Sequence, residues 1–302
     1  MINKDIITIA VHNGTFHTDD VFAVAILSLV FASKKIEIIR TRDEEKILSA
    51  DVVVDVGGIY DPLIYRFDHH QKEGAGVREN GVPYASAGLV WNTFGSMLCD
   101  GNEEMVKNID TFLIQGIDGP DNGYNAYDDT ADNNPRYYRY AVGDIVNTYR
   151  PVMGEDTSYD DAFVEAVTLA KKILERALIH TKEYFTGRKK LEDAYNARES
   201  DYYIITDTEH RAWYEFAGEN PSLLYMLYPR ITSGWSAKCA IKETGSFEPK
   251  KAFPESWRGL QNGELESVTG VPGSLFCHRT GYLVVADTKE HLLQLVKIAI
   301  ES

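Results

Sequence analysis

Two short runs hold the residue types that bind metal ions and move protons: His12-Asn13-Gly14-Thr15-Phe16-His17-Thr18-Asp19-Asp20 and Asp68-His69-His70-Gln71. Each follows an apolar run of β character, and between them Val52-Val53-Val54 leads into Asp55 and Gly57-Gly58. Four of the eight histidines fall in these two runs, which marks them off from the rest of the chain. Carboxylate oxygen and imidazole nitrogen, without thiolate, suit a hard or borderline divalent cation. His12, His17, Asp19, Asp55, His69 and one Asp of a later loop meet that description, enough for a pair of ions. Paired ions can activate water and clamp an in-line displacement at phosphorus. A lone histidine is more often structural; the same ligand types at three separate strand ends argue for a site.

The run Gly116-Ile117-Asp118-Gly119-Pro120-Asp121-Asn122-Gly123 offers two more carboxylates. Asp and Asn in such a run ordinarily satisfy local turns. Asp118, directly after apolar Ile117, is the better ligand candidate, and Asp121 is the alternative. Asp128, Asp129 and Asp132 read as solvated turn residues. Asp20 either caps a helix or hydrogen-bonds a metal-bound imidazole, as carboxylates behind metal ligands commonly do. Near the C-terminus, Arg258 could grip a phosphate bidentately. Trp257 stacks a base or, more ordinarily, fills core space. His278, after an apolar pair, binds substrate or is a satisfied structural histidine.

These side chains need elements that bring them to one edge. Ile6 to Val11 reads as a buried strand, Ile36 to Arg42 as a second, Asp51 to Val56 as a third and Ile64 to Phe67 as a fourth. A helix capped by Thr18 or Asp19 follows the first strand, its inward stripe drawn from Val21, Ala23, Val24, Ile26, Leu27 and Val30. Helical patterning returns at Ser86 to Leu98 and at Glu103 to Gln115, while Gly116 to Asn134 reads as an ordered acidic loop. Strands alternating with helices predict an α/β fold with substantial parallel pairing, and ligands of such sheets gather beyond the carboxyl ends of the strands. From Tyr159 an amphipathic stretch runs to about Arg198, too long for one ordinary globular helix; Thr181 or Gly187 is the expected break. Beyond Asp201, strand-like runs at 202–206, 236–241 and 281–285 and a terminal helix predict a smaller α/β domain. The expected division is 1–158 as a metal-binding domain, 159–200 as a helical connector and 201–302 as a substrate-binding domain.

With 302 residues, 44% of them hydrophobic, the chain is a folded protein longer than one average domain. No run approaches the roughly 18 apolar residues of a membrane span, and the start lacks a basic region followed by an apolar one, so a cytoplasmic location is expected. Three scattered cysteines fit a reducing compartment and form no CxxC pair. A formal net charge of −15 argues against coating duplex nucleic acid with a basic face. It leaves room for short or single-stranded polyanions met by divalent cations and a few local Lys or Arg residues.

His12-Asn-Gly-Thr-Phe-His17, Arg40-Thr-Arg-Asp43, Val53-Val-Asp55-Val-Gly-Gly58 with Tyr60-Asp61, and Asp68-His-His-Gln71 together resemble the Myg family (melanocyte proliferating gene). The likeness continues through Ser86-Ala-Gly-Leu89, Asp118 to Gly123, Pro135-Arg-Tyr137, Trp257-Arg-Gly-Leu260 and Gly270 to His278, nearly the whole chain in order. This family looks like a branch of the DHH phosphoesterases, which include RecJ-type exonucleases, oligoribonucleases and manganese pyrophosphatases. The resemblance implies an N-terminal DHH-type domain with a mostly parallel sheet, a smaller C-terminal α/β domain and an active site in the cleft between them. It implies Mn²⁺ or Mg²⁺, two ions held by His12, His17, Asp19, Asp55, His69 and Asp118, with Asp55 bridging. His70 would face the scissile phosphate, Asp68 would orient the histidines, and Asp20 is taken into the catalytic set. Arg258, His278 and Asp121 are the expected substrate contacts. The first motif departs from the superfamily pattern: a residue is added, and His17 stands where an Asp is usual. The superfamily's glycine-rich substrate loop is replaced by Gly281-Tyr-Leu-Val-Val-Ala-Asp287.

The resulting expectation is a metal-dependent 3′–5′ exoribonuclease acting on single-stranded RNA or short oligonucleotides, with homo-oligomerisation left open. One alternative is a small-molecule phosphoesterase or cyclic-dinucleotide phosphodiesterase using the same metals. Another is a non-catalytic module that holds metal for stability or partner binding.

Overall fold

Apolar β-branched runs at Ile6–Val11 (β1), Lys35–Arg40 (β2) and Val52–Val54 (β3) build the centre of the first sheet, and Tyr60–Asp61 (β4) and Arg66–Phe67 (β5) complete it. The computed structural model describes residues 2–124, 140–243, 245–246 and 248–302. Strand order is β2-β1-β3-β5-β4. β1 pairs in parallel with β2 and β3, β3 pairs in parallel with β5, and only the edge strand β4 is antiparallel. The parallel strands therefore end on one edge, where Val11, Val54 and Phe67 hand the chain on to His12, Asp55 and Asp68.

Helices cover both faces, as parallel sheets require. Thr18–Val30 (α1) is buried on nearly every side from Asp19 to Leu27 and packs on Ser86–Leu98 (α3). On the opposite face, Glu44–Ser49 (α2) sends Ile47 against Ala10 and Val53, residues whose neighbours in each strand point the other way. Glu103–Ile109 (α4), a π-helical turn over Asp110–Ile114 and Gln115–Asp121 (α5) form one helical run, followed by Val142–Asn147 (α6). The acidic loop expected from Gly116 is thus helical as far as Asp121. Its Gly, Asp and Pro content misleads because Asp118 is fixed by tertiary contacts that outweigh local propensity. Residues 125–134 of that expected loop, with Asp128, Asp129 and Asp132, and the Pro135–Tyr137 motif lie outside the described residues.

Tyr159–Asn196 (α7) runs 38 residues without a break. Both expected breakpoints are close-packing positions instead. Thr181 is buried with Oγ1 3.5 Å from Asn108 Oδ1. A Cβ on Gly187 would come 3.0 Å from His210 Nδ1, so glycine admits that ring. Tertiary contacts divide the chain into Met1–Lys182 and Glu183–Ser302, a boundary inside α7.

The second unit carries Tyr203–Ile205 (β6), Trp213–Glu219 (α8), Tyr225–Pro229 (β7), Trp235–Cys239 (β8), Asn262–Thr269 (α9), Ser274–Cys277 (β9), Leu283–Ala286 (β10) and Lys289–Glu301 (α10). Its sheet order is β6-β7-β8-β10-β9, with only β6 and β7 parallel. Alternate residues serve two cores: Tyr225 and Leu227 join Leu292, Leu295 and Val296 of α10, while Met226 and Tyr228 join Trp213 and Phe216 of α8. The α/β class expected from the sequence is the class observed. No helix among the described residues is long and apolar enough to cross a membrane.

Candidate metal centre

The first motif reaches the sheet edge by a tight path. Gly14 takes a left-handed φ of 86° between β1 and α1. His17, extended at φ −117°, is the residue that opens α1, in place of the expected Thr18 or Asp19. Asp20 reaches back to accept the His17 backbone N–H at 3.0 Å and stands 3.0 Å from His12 Nε2. One carboxylate thus both caps α1 and meets the His12 imidazole.

Asp55 leaves β3 in the left-handed region (φ 54°), followed by Gly57 and Gly58 at positive φ. That turn places its carboxylate between two imidazoles: Oδ2 lies 3.3 Å from His12 Nε2, and Oδ1 lies 3.2 Å from His69 Nε2 and accepts the Ser86 hydroxyl at 3.1 Å. Burial alone would raise the Asp55 pKa; the hydrogen-bonding charge of His12 and His69 outweighs it and holds the carboxyl below its usual range. Burial likewise works to lower His12 and His69, yet Asp20 and Asp55 raise the first, and Asp121 and Asp55 the second, to about 10.

Each of these imidazoles has its far nitrogen tied down. His12 Nδ1 is 3.1 Å from the Asn13 carbonyl and His69 Nδ1 is 3.3 Å from Asn122 Oδ1, so both turn Nε2 toward the carboxylates. Metal-binding histidines are oriented in this way. His70 differs. Its Nδ1 is 2.8 Å from Asp68 Oδ1, its backbone N–H donates to the same oxygen at 3.1 Å, and its ring is largely exposed. Asp68 is held in turn by the Gly58 backbone N–H.

Asp19 decides what the cluster is for. It is fully buried, and neither carboxylate oxygen has a hydrogen-bond partner. Burial and the neighbouring carboxylates of Asp55, Asp121 and Asp20 push its pKa well up. His69 Nε2, 3.1 Å from Asp121 and 3.9 Å from Asp19, also lacks a well-directed hydrogen bond. Converging buried acids with orphaned oxygens are costly unless something cationic sits among them. Nitrogen and oxygen donors gather as His12, His17 and Asp55, as Asp55, His69 and His70, and as His17, Asp19 and Asp121, each set with ligand atoms within 4.8 Å. Asp55 and His17 each belong to two sets. The residues present fit divalent cations.

Asp118, the expected loop ligand, is placed elsewhere. It accepts Arg78 Nη2 at 2.7 Å and the Gly88 N–H at 2.9 Å. Burial raises its pKa to about 7 against the pull of Arg78. Asp121, one helical turn further on and expected among the substrate contacts, is the carboxylate that joins the cluster. Arg258 and His278 belong to the second unit. Arg258 is exposed, with Nε donating to the Phe253 carbonyl, and Trp257 is buried in the core beside Phe253.

A cavity of about 570 Å³ opens over the first unit's cluster, lined by His12, His17, Asp55, Asp68 and His70 together with Asn13, Thr15 and Arg42. A model of the MYG1 exonuclease family, described as an uncharacterised protein family (UPF0160), matches residues 8–300. The chain belongs to the MYG1 family. It is 31% identical to the MYG1 exonuclease of Homo sapiens over 96% of this chain and 84% of the human protein. It is 29% identical to a MYG1 protein of Chlamydia muridarum over 97% of this chain and 96% of that protein, and 26% identical to one from Schizosaccharomyces pombe over 99% and 98%.

The MYG1-family site also depends on residues that pattern alone did not assign. Arg42 brings an exposed guanidinium to the cavity from the loop after β2. Arg40 donates to the Gly14 carbonyl at 2.7 Å and Arg150 to that of Phe16 at 2.8 Å, bracing the loop from His12 to His17. Ser86 anchors Asp55. The resembling motifs Arg40–Asp43 and Ser86–Leu89 contain three of these residues; a role for them was the missing inference.

Proposed function

We propose that this chain is a divalent-metal-dependent phosphodiesterase, a 3′–5′ exoribonuclease that acts on single-stranded RNA or short oligonucleotides. Asp19 carries the reading: a buried carboxylate with both oxygens unpartnered, facing further acids, is a metal-binding arrangement. The exonuclease name of the human relative supports the choice of reaction class. His12, His17, Asp19, Asp55, His69 and Asp121 would hold two ions, Mn²⁺ or Mg²⁺. Once bound, such ions supply positive charge against phosphate oxygens and acidify an attacking water.

The chain's own residues do the rest. Asp55, fixed by Ser86, belongs to two donor sets and holds them in register. Asp68 keeps His70 Nδ1 engaged and so holds the exposed ring on the cavity wall, where it can steady negative charge on a phosphoryl group. Arg42 adds a cation on the same cavity wall. Asp20 sets the first motif by pinning His12 and the start of α1. Arg258 and His278 of the second unit would contact substrate, and Asp118 would have a positioning role through Arg78.

Hydrolysis of a 5′-labelled single-stranded RNA with Mn²⁺, Mg²⁺ or EDTA, beside an Asp55→Asn control, tests the proposal. The expected result is a metal-dependent ladder shortening from the 3′ end and lost in the variant. Absence of cleavage with every metal would overturn it, and turnover of dinucleotides or pyrophosphate alone would move the activity to small phosphoesters.

A further inference from the structure

The row of strand ends that builds the metal cluster continues one strand further. The order β2-β1-β3-β5 puts Arg42, from the loop after β2, beyond His12, Asp55 and Asp68, and all four line the cavity of about 570 Å³. Adjacent strands lie about 4.8 Å apart, so Arg42 departs from a strand one step from that of His12 and two from that of Asp55. The backbone on both sides of it is fixed. Buried Thr41 donates its N–H to the Val11 carbonyl at 2.8 Å, which extends the β1–β2 ladder. The Asp43 N–H donates to the Thr41 hydroxyl at 3.1 Å, and the Asp43 carboxylate caps α2 through the Lys46 N–H. Arg40, gripping the Gly14 carbonyl, ties the turn from Asn13 to Thr15 to the same strand.

The guanidinium itself is uncommitted. Among the described residues Arg42 has no hydrogen bond or ion pair, although Asp55 and Asp68 line the same cavity. Arg40, Arg66, Arg78 and Arg150 of the same unit all donate to fixed carbonyls or carboxylates. An arginine able to reach acids that burial leaves short of positive charge would pair with them. Arg42 stands clear of those acids, and so of the phosphate that their cations would hold. The exposed side chains of Asn13 and Thr15 line the cavity with it and, among the described residues, also lack hydrogen-bond partners. Guanidinium, amide and hydroxyl are donors that serve phosphate oxygens.

We infer that Arg42, with Asn13 and Thr15, forms a subsite for a second phosphate of the substrate, the one lying one nucleotide to the 5′ side of the scissile bond. That a second anion is taken follows from the free guanidinium set apart from the acids. Its place in the substrate rests on the exonuclease reading: a 3′-terminal nucleotide ends in a hydroxyl, so the neighbouring anion is the upstream phosphate. Short substrates are then sorted by their phosphates, and one that offers only the scissile group forgoes this contact.

Steady-state hydrolysis of ApA and pApA with Mn²⁺ tests this, since the two differ by a single 5′-phosphate at the proposed position; ApApA repeats the comparison with a diester there. Calorimetric titration of analogues whose scissile P–O bond is replaced by P–CH₂ reads binding without turnover. Arg42→Met and Arg42→Lys are the variants, each checked for an unchanged melting profile and unchanged stabilisation by Mn²⁺. The wild type should favour pApA by at least about tenfold in kcat/KM, carried by KM, and in affinity for the analogues, the scale of one charge-assisted contact. Arg42→Met should bring both preferences close to parity, and Arg42→Lys should keep part of them, a point charge replacing a planar fork. Equal treatment of ApA and pApA by the wild type overturns the inference. So does an undiminished preference in Arg42→Met, which would place any loss of activity on the scissile phosphate instead. If no dinucleotide is hydrolysed, the exonuclease reading fails, while the analogues still decide whether Arg42 reads a second phosphate.

Discussion

Asp19 and Asp121 show how single residues can be at odds with the fold that holds them. Without cations, Asp19 faces Asp55 and Asp121 from a fully buried position. Neutralising it should therefore help the metal-free protein and spoil the site, a trade-off common at functional centres. In EDTA, Asp19→Asn is expected to raise stability by about 1–3 kcal/mol, the scale of relieving an unsatisfied buried group, and to abolish stabilisation by Mn²⁺; denaturant unfolding with and without metal reads both. The histidines predict a pH effect with a definite sign. His12 and His69 stand at about 10 against an ordinary 6.5. The stabilisation that their protons give the metal-free fold is complete below 6.5 and is lost as pH climbs through 10. Metal needs neutral imidazole, so Mn²⁺ binding at pH 7.5 should release protons and tighten as pH rises. Calorimetry in buffers of different ionisation enthalpy would measure this, and a proton count of zero would contradict the assignment of both ligands.

At the scale of elements, the metal cluster depends on α3 and α5 keeping a fixed register. Arg78 is the fastener: it contacts Asp110 through Nε and Nη2, Asp118 through Nη2 and the Pro83 carbonyl through Nη1, while lying over Tyr84. Asp118 also receives the Gly88 N–H of α3, and a Cβ at Gly88 would sit 1.8 Å from its Oδ2. Arg78→Met leaves Asp118 buried without its cation and should cost about 3–5 kcal/mol, seen as a shifted urea midpoint. Gly88→Ala should be destabilising by at least about 1–3 kcal/mol through overpacking. Both should also weaken Mn²⁺ binding, because Asp121 follows Asp118 on α5 and Ser86 precedes Gly88 on α3. Intact metal affinity in a folded Gly88→Ala protein would show that the register is not what positions the ligands.

For the molecule as a whole, the two units predict divided behaviour. Among the described residues, the donor sets gathered for metal all lie in Met1–Lys182, while Glu183–Ser302 folds around a sheet and cores of its own. Ligand binding stabilises only what folds around it, by about 2.7 kcal/mol at a hundredfold excess over Kd. Scanning calorimetry should therefore show Mn²⁺ raising a transition belonging to the first unit while leaving another in place, with EDTA reversing the shift. A single transition moved as one would instead show that the units unfold together.

Local patterning was enough to mark β1 at its observed limits, to bring His and Asp to the ends of three strands and to identify α3 over Ser86–Leu98. Those features are written in contiguous residues: β-branched runs, helical periodicity and the polar residues that follow them. The strands β4, β7 and β9 and the helices α2, α6, α8 and α9 escaped, because elements of a few residues gain their stability from neighbours rather than from propensity. The choice of Asp121 over Asp118 at the cluster escaped for the same reason. Both carboxylates stand on one short helix, and the local cue that favoured Asp118, apolar Ile117 before it, marks burial and not the partner a carboxylate finds. What separates them is Arg78, 40 residues away from Asp118, whose guanidinium claims that carboxylate and leaves Asp121 to the histidines. The sequence by itself determined which chemistry was present; only long-range packing, by burying some charges against partners and leaving others without them, decided which residues carry it.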